Sequence, residues 1–176
     1  MAKIQALAYI VAESSDPAKW QHYGEQVLGM QVVPAADGLR LKMDERDFRI
    51  IVLKGGEDAY RVSGWEVADD AAFDEAVTAL EAAGVAVTKG DAAARGFSRL
   101  VAFADPDGNR HELVAGYKGG NTAFESPIGV QGFKTGKYGM GHTVLPAPAK
   151  FDATLKLFQD VFGMGLSDVF NFQPGP

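Results

Sequence analysis

The sequence predicts an α+β fold in which paired βαβββ modules form a curved mixed sheet with helices on its outside. Three observations favour this fold. A strand, a capped helix and a closing glycine recur three times along the 176 residues. The first two occurrences each continue into three further strand candidates separated by turn-forming residues. Hydrophobic residues make up 47% of the chain, which is enough for an ordinary globular core.

The first module is predicted over about residues 1–60, and it begins with a strand at Ile4–Val11. Asp16 and Pro17 are typical of a helix start, because an aspartate caps free amides and proline fits the first turn. The helix is predicted over Pro17–Leu28, with Gly29 as its end. The three strand candidates that follow are Met30–Pro34, Leu39–Met43 and Phe48–Leu53.

The second module is predicted over about residues 61–117 and repeats the same order. Its first strand is Ser63–Val67, Asp69 or Asp70 caps a helix over Ala71–Ala83, and Gly84 ends that helix. The two modules are expected to form one domain, residues 1–117, whose concave face makes a pocket for a small ligand. The closing strand candidates are Val85–Thr88, Ser98–Ala104 and His111–Ala115.

Residues 118–135 have several glycines, Pro127 and no hydrophobic period, and they are predicted to be a linker. A third start follows, with a glycine-rich approach to a strand that carries His142 and a helix over Phe151–Phe162. No closing strands follow this helix. We therefore expect residues 136–176 to be the start of a second domain, and the chain to be a truncated one.

Composition excludes several classes of function. The net charge is −6 and no run of lysine or arginine occurs, so a nucleic-acid surface is not expected. The chain has no cysteine, which excludes a disulfide frame and a thiolate nucleophile. The apolar run in its first residues is too short for a signal peptide, and no apolar span of membrane length occurs. A cytoplasmic protein without membrane or nucleic-acid partners is expected.

Several segments resemble the vicinal oxygen chelate superfamily, which includes the glyoxalases and bleomycin-resistance proteins. They are the turn Phe103–Asn109, followed by Glu112, and the stretch Gly139–His142. Within the superfamily the chain most resembles the type I extradiol catechol dioxygenases of the 2,3-dihydroxybiphenyl 1,2-dioxygenase kind. The segment Gly132–Gly136 before His142, and Leu166–Val169 after the helix, carry this closer resemblance.

The resemblance implies that a small aromatic diol is cleaved next to its hydroxyls during the degradation of aromatic compounds. It implies Fe(II) as the metal, with Mn(II) as a possible substitute, and dioxygen as co-substrate. It also implies two domains of two modules each, with iron only in the second, and assembly into a homo-oligomer.

His142 is implied by the resemblance to be the first of three iron ligands. The other ligands, a histidine and a glutamate, and the catalytic histidine and tyrosine would lie beyond Pro176. No catalytic or cofactor-binding residue is therefore assigned in this chain, which is expected to be inactive by itself. Val144 shares the face of His142 by strand alternation and lines either the substrate pocket or the core.

The first domain is predicted to have a degenerate metal site. Aligning the repeats places Tyr9 and Trp65 where two histidine ligands would stand, and neither side chain suits Fe(II). No metal is expected there, and Glu112 is expected to bond to Tyr9 or Trp65, or to be solvated. His111 points opposite to Glu112 by alternation and is predicted to be a surface or interface residue.

Two other functions stay open at this point. A small-molecule binding module of the bleomycin-resistance type would hold its ligand between modules one and two, but such proteins usually end near residue 117. A glyoxalase-like metal-dependent isomerase would need metal ligands at Tyr9 and Trp65.

The predicted helix Phe151–Phe162 has an apolar face that its own incomplete module cannot cover. The face consists of Phe151, Leu155, Phe158 and Phe162. Large apolar patches are rare on soluble monomers. We therefore expect this face to pack on another subunit or on residues outside the chain.

Overall fold

The computed structural model describes residues 3–170, which form one eight-stranded sheet with three helices. The helices are α1 (Pro17–His22, continued by a π-helical turn over Tyr23–Val27), α2 (Asp70–Ala82) and α3 (Phe151–Asp160). The strands are β1 Ile4–Ser14, β2 Gln31–Ala35, β3 Gly38–Lys42, β4 Ile50–Lys54, β5 Ala59–Val67, β6 Thr88–Lys89, β7 Phe97–Ala104 and β8 Arg110–Tyr117. Within the described range no helix combines the length and the apolar character that crossing a membrane requires.

The strand order confirms the paired modules. The order is β2-β3-β4-β1-β5-β8-β7-β6, which is the same from both ends once each module is numbered from its own first strand. In each module the first strand pairs in parallel with the last, β1 with β4 and β5 with β8. The modules join through the antiparallel pair β1–β5. This connectivity has the twofold symmetry expected of a duplicated unit.

The helix α1 differs from the single helix predicted over Pro17–Leu28. It changes to a π-helical turn at Tyr23, and Gly24 in that turn lies directly on β2 and β3. A β-carbon on Gly24 would lie 2.9 Å from Val32 Cγ2, closer than side chains pack. The close approach of the helix to the sheet therefore depends on glycine at this position, which helical periodicity alone does not reveal.

The helix α2 confirms the predicted cap, since the Asp69 side chain accepts a hydrogen bond from the Ala72 amide at 2.8 Å. The strand expected after it, Val85–Thr88, is wrong in extent, because only Thr88–Lys89 pairs with β7. Val85 and Val87 pack instead against the hydrophobic cluster beneath α2. An apolar run that follows a helix can pack beneath that helix and need not pair as a strand.

Two hydrophobic clusters lie between the helices and the sheet, and a third lies on the face away from the helices. Tyr9 is fully buried in this third cluster, with its ring centroid 5.6 Å from Phe48 and 6.0 Å from Phe97. Aromatic packing thus occupies the face on which the repeats predicted a ligand pocket. The remaining members are Ala8, Val11, Ile51, Val62, Leu100 and Val114.

Residues 118–135 contain no helix or strand, in agreement with the irregular segment predicted there. They are nevertheless fixed on module one. The Gly120 amide donates to Asp47 at 2.8 Å, the Thr122 amide donates to the Glu45 carbonyl at 3.2 Å, and Phe133 packs against the core under α1. Irregular backbone therefore coexists here with a defined position on the sheet.

The helix α3 packs on module two of its own chain, so the expectation that its apolar face is covered by another subunit or by missing residues is wrong for the part of that face that holds Phe158 and Phe162. Leu157, Val161 and Phe162 are buried in the cluster that also holds α2. Phe158 meets the Trp65 ring edge-on at 5.8 Å. Phe151, by contrast, is 53% exposed. The sequence shows that α3 is amphipathic, but only the fold shows the vacant surface beside α2.

Candidate functional site

The segment around His142 is irregular, so the strand predicted through this residue is wrong. A single parallel bridge joins Gly139 to Leu7 of β1, and the Met140 amide donates to the Leu7 carbonyl at 3.0 Å. This side of β1 is open because β4 pairs with β1 only from Ile10 onward. Beyond Met140 the backbone has no neighbouring strand among the described residues, and an unpaired segment does not form a sheet strand.

His142 and Val144 are both exposed, and Val144 is 85% exposed. Two hydrogen bonds attach the segment that carries them, one between His142 and Val144 and one after Val144. The Thr143 hydroxyl donates to the Tyr60 hydroxyl at 3.0 Å, and the Asn109 side-chain amide donates to the Pro146 carbonyl at 2.8 Å. The structure thus holds His142 accessible on a tethered segment. The ligand role of His142 and the substrate role of Val144 stay predictions.

A complete iron site does not form within residues 3–170. No three side chains of histidine, aspartate or glutamate in this range come together in a way that could hold a metal ion. Non-haem Fe(II) of this type needs two histidines and a carboxylate on one face. His142 is predicted to be one such ligand, and the described residues do not fit the metal by themselves.

A buried charged network occupies the sheet face away from the helices. The Tyr9 hydroxyl donates to Glu112 Oε2 at 2.5 Å, so of the partners expected for Glu112 the structure selects Tyr9 and not Trp65. Arg95 donates from Nε to Oε2 at 3.0 Å and from Nη2 to Oε1 at 3.2 Å. Burial, and then the charge of Glu112, raises the pKa of Tyr9 well above its ordinary value, so the phenol keeps its proton. The guanidinium of Arg95 thus supplies the positive charge that a metal would supply to this carboxylate.

Arg95 is the member of the network that sequence reasoning missed. It ends a short 3₁₀ turn, Ala93–Arg95, and Gly96 follows with φ 65° and leads the chain into β7. The only available signal was a lone cation in an alanine-rich turn. That signal does not tell which carboxylate the cation meets.

Trp65 does not lie beside Tyr9, so its predicted place at the second ligand position is wrong. In the β1–β5 ladder Tyr9 pairs with Gly64, and Trp65 faces the helices. A β-carbon on Gly64 would lie 2.5 Å from the Tyr9 ring, so the phenol occupies the space of a β5 side chain. Irregularities in the β1–β5 register account for the error, because a shift of one residue moves a side chain to the opposite face.

His111 lies opposite to Glu112 as predicted, but it is buried and not a surface residue. Trp65 Nε1 donates to His111 Nδ1 at 3.0 Å, so the ring proton is on Nε2, which faces Asp105 Oδ2 at 3.4 Å. The imidazole also stacks on Phe103, with ring centroids 5.0 Å apart. These contacts make His111 a neutral core residue.

Stability should fall in mild acid because of His111. Burial lowers the pKa of His111, although Asp105 opposes the shift. The unfolded chain binds this proton below a pH of about 6.5, whereas the folded chain resists it until lower pH. The contribution is therefore complete above that pH and declines as the pH drops towards the lowered folded pKa. Urea unfolding between pH 7.5 and 5 measures this loss.

The matched control for this pH dependence is the exposed His22 of α1. His111→Gln should reduce the slope of stability against pH, whereas His22→Gln should keep it. Equal slopes in the wild type and the His111 variant would contradict the neutral, buried assignment.

Known proteins resemble this chain over nearly its whole length. The family model described as dihydroxybiphenyl dioxygenase BphC D1 matches residues 7–55. The biphenyl-2,3-diol 1,2-dioxygenase of Paraburkholderia xenovorans strain LB400 is 38% identical, over 98% of this chain and 59% of the relative. The iron-dependent extradiol dioxygenase of Rhodococcus jostii strain RHA1 is 37% identical, over 97% of this chain and 58% of the relative.

Solved structures agree with the sequence relatives. The crystal structure of BphC, a halotolerant catechol dioxygenase, matches with a TM-score of 0.85 and 32% identity, over 93% of this chain and 56% of that chain. The chain thus spans less than two thirds of the length of the relatives it matches. These names favour neither the binding-module nor the isomerase alternative. By its paired modules, its sequence and its fold, the chain is similar over nearly its whole length to extradiol dioxygenases.

Proposed function

We propose that this chain is part of an enzyme that cleaves an aromatic diol of the catechol type next to its hydroxyls, with Fe(II) and dioxygen. The main support is the likeness, over nearly all of the chain, to proteins named as biphenyl-diol, catechol and iron-dependent extradiol dioxygenases. Manganese as a substitute metal, assembly into a homo-oligomer and a cytoplasmic location belong to the same proposal.

In this proposal residues 1–117 form a domain without metal, residues 118–135 connect, and residues 136–176 begin the iron domain. The last part of that segment, residues 171–176, lies outside the described residues. His142 provides one ligand, and Val144 lies towards the substrate. Bound iron would bring the diol and dioxygen together as a template. The remaining ligands come from residues outside 3–170. Within residues 3–170 no three potential ligands come together.

In this proposal the Glu112 network on the sheet takes no direct part in the chemistry. Arg95 and Tyr9 already satisfy the Glu112 carboxylate, and the Tyr9 ring packs against Phe48 and Phe97. Because both of its oxygens accept hydrogen bonds, Glu112 is not free to bind a second metal or a diol. The chemistry is therefore assigned to the side of the molecule that carries His142.

The expected result is that the 176-residue chain does not turn over catechol or 2,3-dihydroxybiphenyl under air with ferrous iron. One imidazole does not make a three-ligand facial site. A version extended by the remainder of its reading frame to the length of the relatives should form the yellow ring-opened product. In that version His142→Ala should lose bound iron and activity together, and metal analysis of the purified protein checks the iron.

The control is His22→Ala in the same extended version, because His22 is exposed on α1. It should keep iron and activity. Turnover by the 176-residue chain would move the site away from His142. Tight binding of a drug without any diol cleavage would favour the binding-module alternative.

A further inference from the structure

The N-terminus of α3 is capped by a residue that lies more than forty positions earlier in the chain. Lys150, at the cap position, makes no side-chain cap of its own. Asp107 Oδ1 instead accepts from the amides of Ala149 at 2.9 Å and Lys150 at 3.0 Å, and Oδ2 accepts from the Thr154 hydroxyl at 3.1 Å. A carboxylate at this place satisfies free amides and complements the helix dipole.

The turn that carries Asp107 is itself held by hydrogen bonds. Asp105 is buried and accepts from both the backbone and the side-chain amide of Asn109, at 2.9 and 2.7 Å. Asn109 then uses its side-chain amide to donate to the Pro146 carbonyl at 2.8 Å. The Asp107 carboxylate and the Asn109 side-chain amide therefore both reach residues 146–154, and the Asn109 amide bonds within the turn as well.

Apolar contacts and backbone hydrogen bonds hold the same segment at its two ends. Leu157, Val161 and Phe162 are buried on module two, and the Ile4 amide donates to the Phe162 carbonyl at 3.3 Å. At the other end the Met140 amide donates to the Leu7 carbonyl at 3.0 Å. His142 thus lies between the attachment at Met140 and the attachment at Pro146.

We propose that Asp107 and Asn109 are positioning residues that dock residues 140–162, and with them His142, on the outer face of module two. The turn Asp105–Asn109 then has a second task besides joining β7 to β8. The docking does not depend on iron. Only its relevance to ring cleavage rests on the proposed function of His142.

Hydrogen exchange followed by mass spectrometry on the 176-residue chain tests the docking. In Asp107→Ala the peptides that cover residues 149–162 should exchange roughly five- to tenfold faster, as expected for a lost helix cap. Peptides of β7 and β8 should keep their protection. Asp107→Asn should restore most of the protection, because its amide oxygen can still accept from the Ala149 and Lys150 amides.

Thr154→Val tests the same contact from the α3 side and leaves the turn unchanged. It should also speed exchange in residues 149–162, and the double variant with Asp107→Ala should show less than the product of the two effects, because both changes break one shared hydrogen bond. Asp91→Ala is the control, since Asp91 caps a different turn through the Ala94 amide. It should leave residues 149–162 unaffected.

Unchanged exchange of residues 149–162 in Asp107→Ala, or purely multiplicative effects in the double variant, would overturn the proposal. If Asp107→Ala also speeds exchange in β7 and β8, the docking role is judged from Thr154→Val alone. Unchanged α3 exchange in that variant overturns the docking role. Because none of these measurements involves iron or a diol, their failure is distinct from a failure of the proposed function.

Discussion

Arg95→Met should lower the free energy of unfolding by about 3 kcal/mol, because it leaves the Glu112 carboxylate buried without its cation. The Arg95 and Glu112 side chains are 16% and 11% exposed, so water replaces the lost charge poorly. Burying an unpaired charge is far more costly than losing an exposed ion pair. Urea unfolding at neutral pH measures the difference.

The control for Arg95 is Arg99→Met, which removes a nearby arginine from the exposed carboxylate of Asp74. That change should cost under about 1 kcal/mol. The double variant Arg95→Met/Glu112→Gln should recover part of the loss, because it removes the buried charge and still offers Tyr9 an acceptor. Equal losses in the Arg95 and Arg99 variants would show that Glu112 is not held as a buried charge.

Phe162→Ala should cost about 3–5 kcal/mol of stability, because it empties a fully buried aromatic position at the end of α3. The Phe162 ring lies among Phe103, Phe158 and the cluster beneath α2, and it is 1% exposed. Urea unfolding measures the global loss. Limited proteolysis measures whether α3 leaves the sheet before the rest of the chain unfolds.

The comparison for Phe162 is Phe151→Ala at the start of the same helix. Phe151 is exposed, and its replacement should change the free energy of unfolding by no more than about 0.5 kcal/mol. If both variants behave alike, α3 does not pack on module two. In that case the face would need a cover from outside the chain, as the helical pattern alone suggested.

The fold could be predicted because its signals are local and repeated. Asp69 before α2 and the glycines after the helices specify helix boundaries within a few residues. Alternation also placed His111 and Glu112 on opposite faces correctly. The failure at Trp65 came from long-range pairing, because irregularities in the β1–β5 register changed which β5 residue stands beside Tyr9.

The part of the site that could be predicted was likewise the part with a local signal. The repeat alignment offered Tyr9 as one of the possible partners of Glu112, and the structure shows that contact. The ligand role of His142 stays a prediction. The partner Arg95 could not be found this way, because it comes from a turn that the fold alone brings over the carboxylate. The same holds for Asp107, whose contact with Thr154 joins two separate segments.

The sequence by itself determined the paired modules, the helix caps and the resemblance to extradiol dioxygenases, because propensity, periodicity and motifs act over a few residues. Only the tertiary structure decided which side chains and helices cover the faces of each module. It placed Arg95 against Glu112, filled the expected pocket with aromatic rings and laid α3 beside α2. It also left the His142 segment without a strand, since a strand needs hydrogen-bonding neighbours that no local pattern can supply.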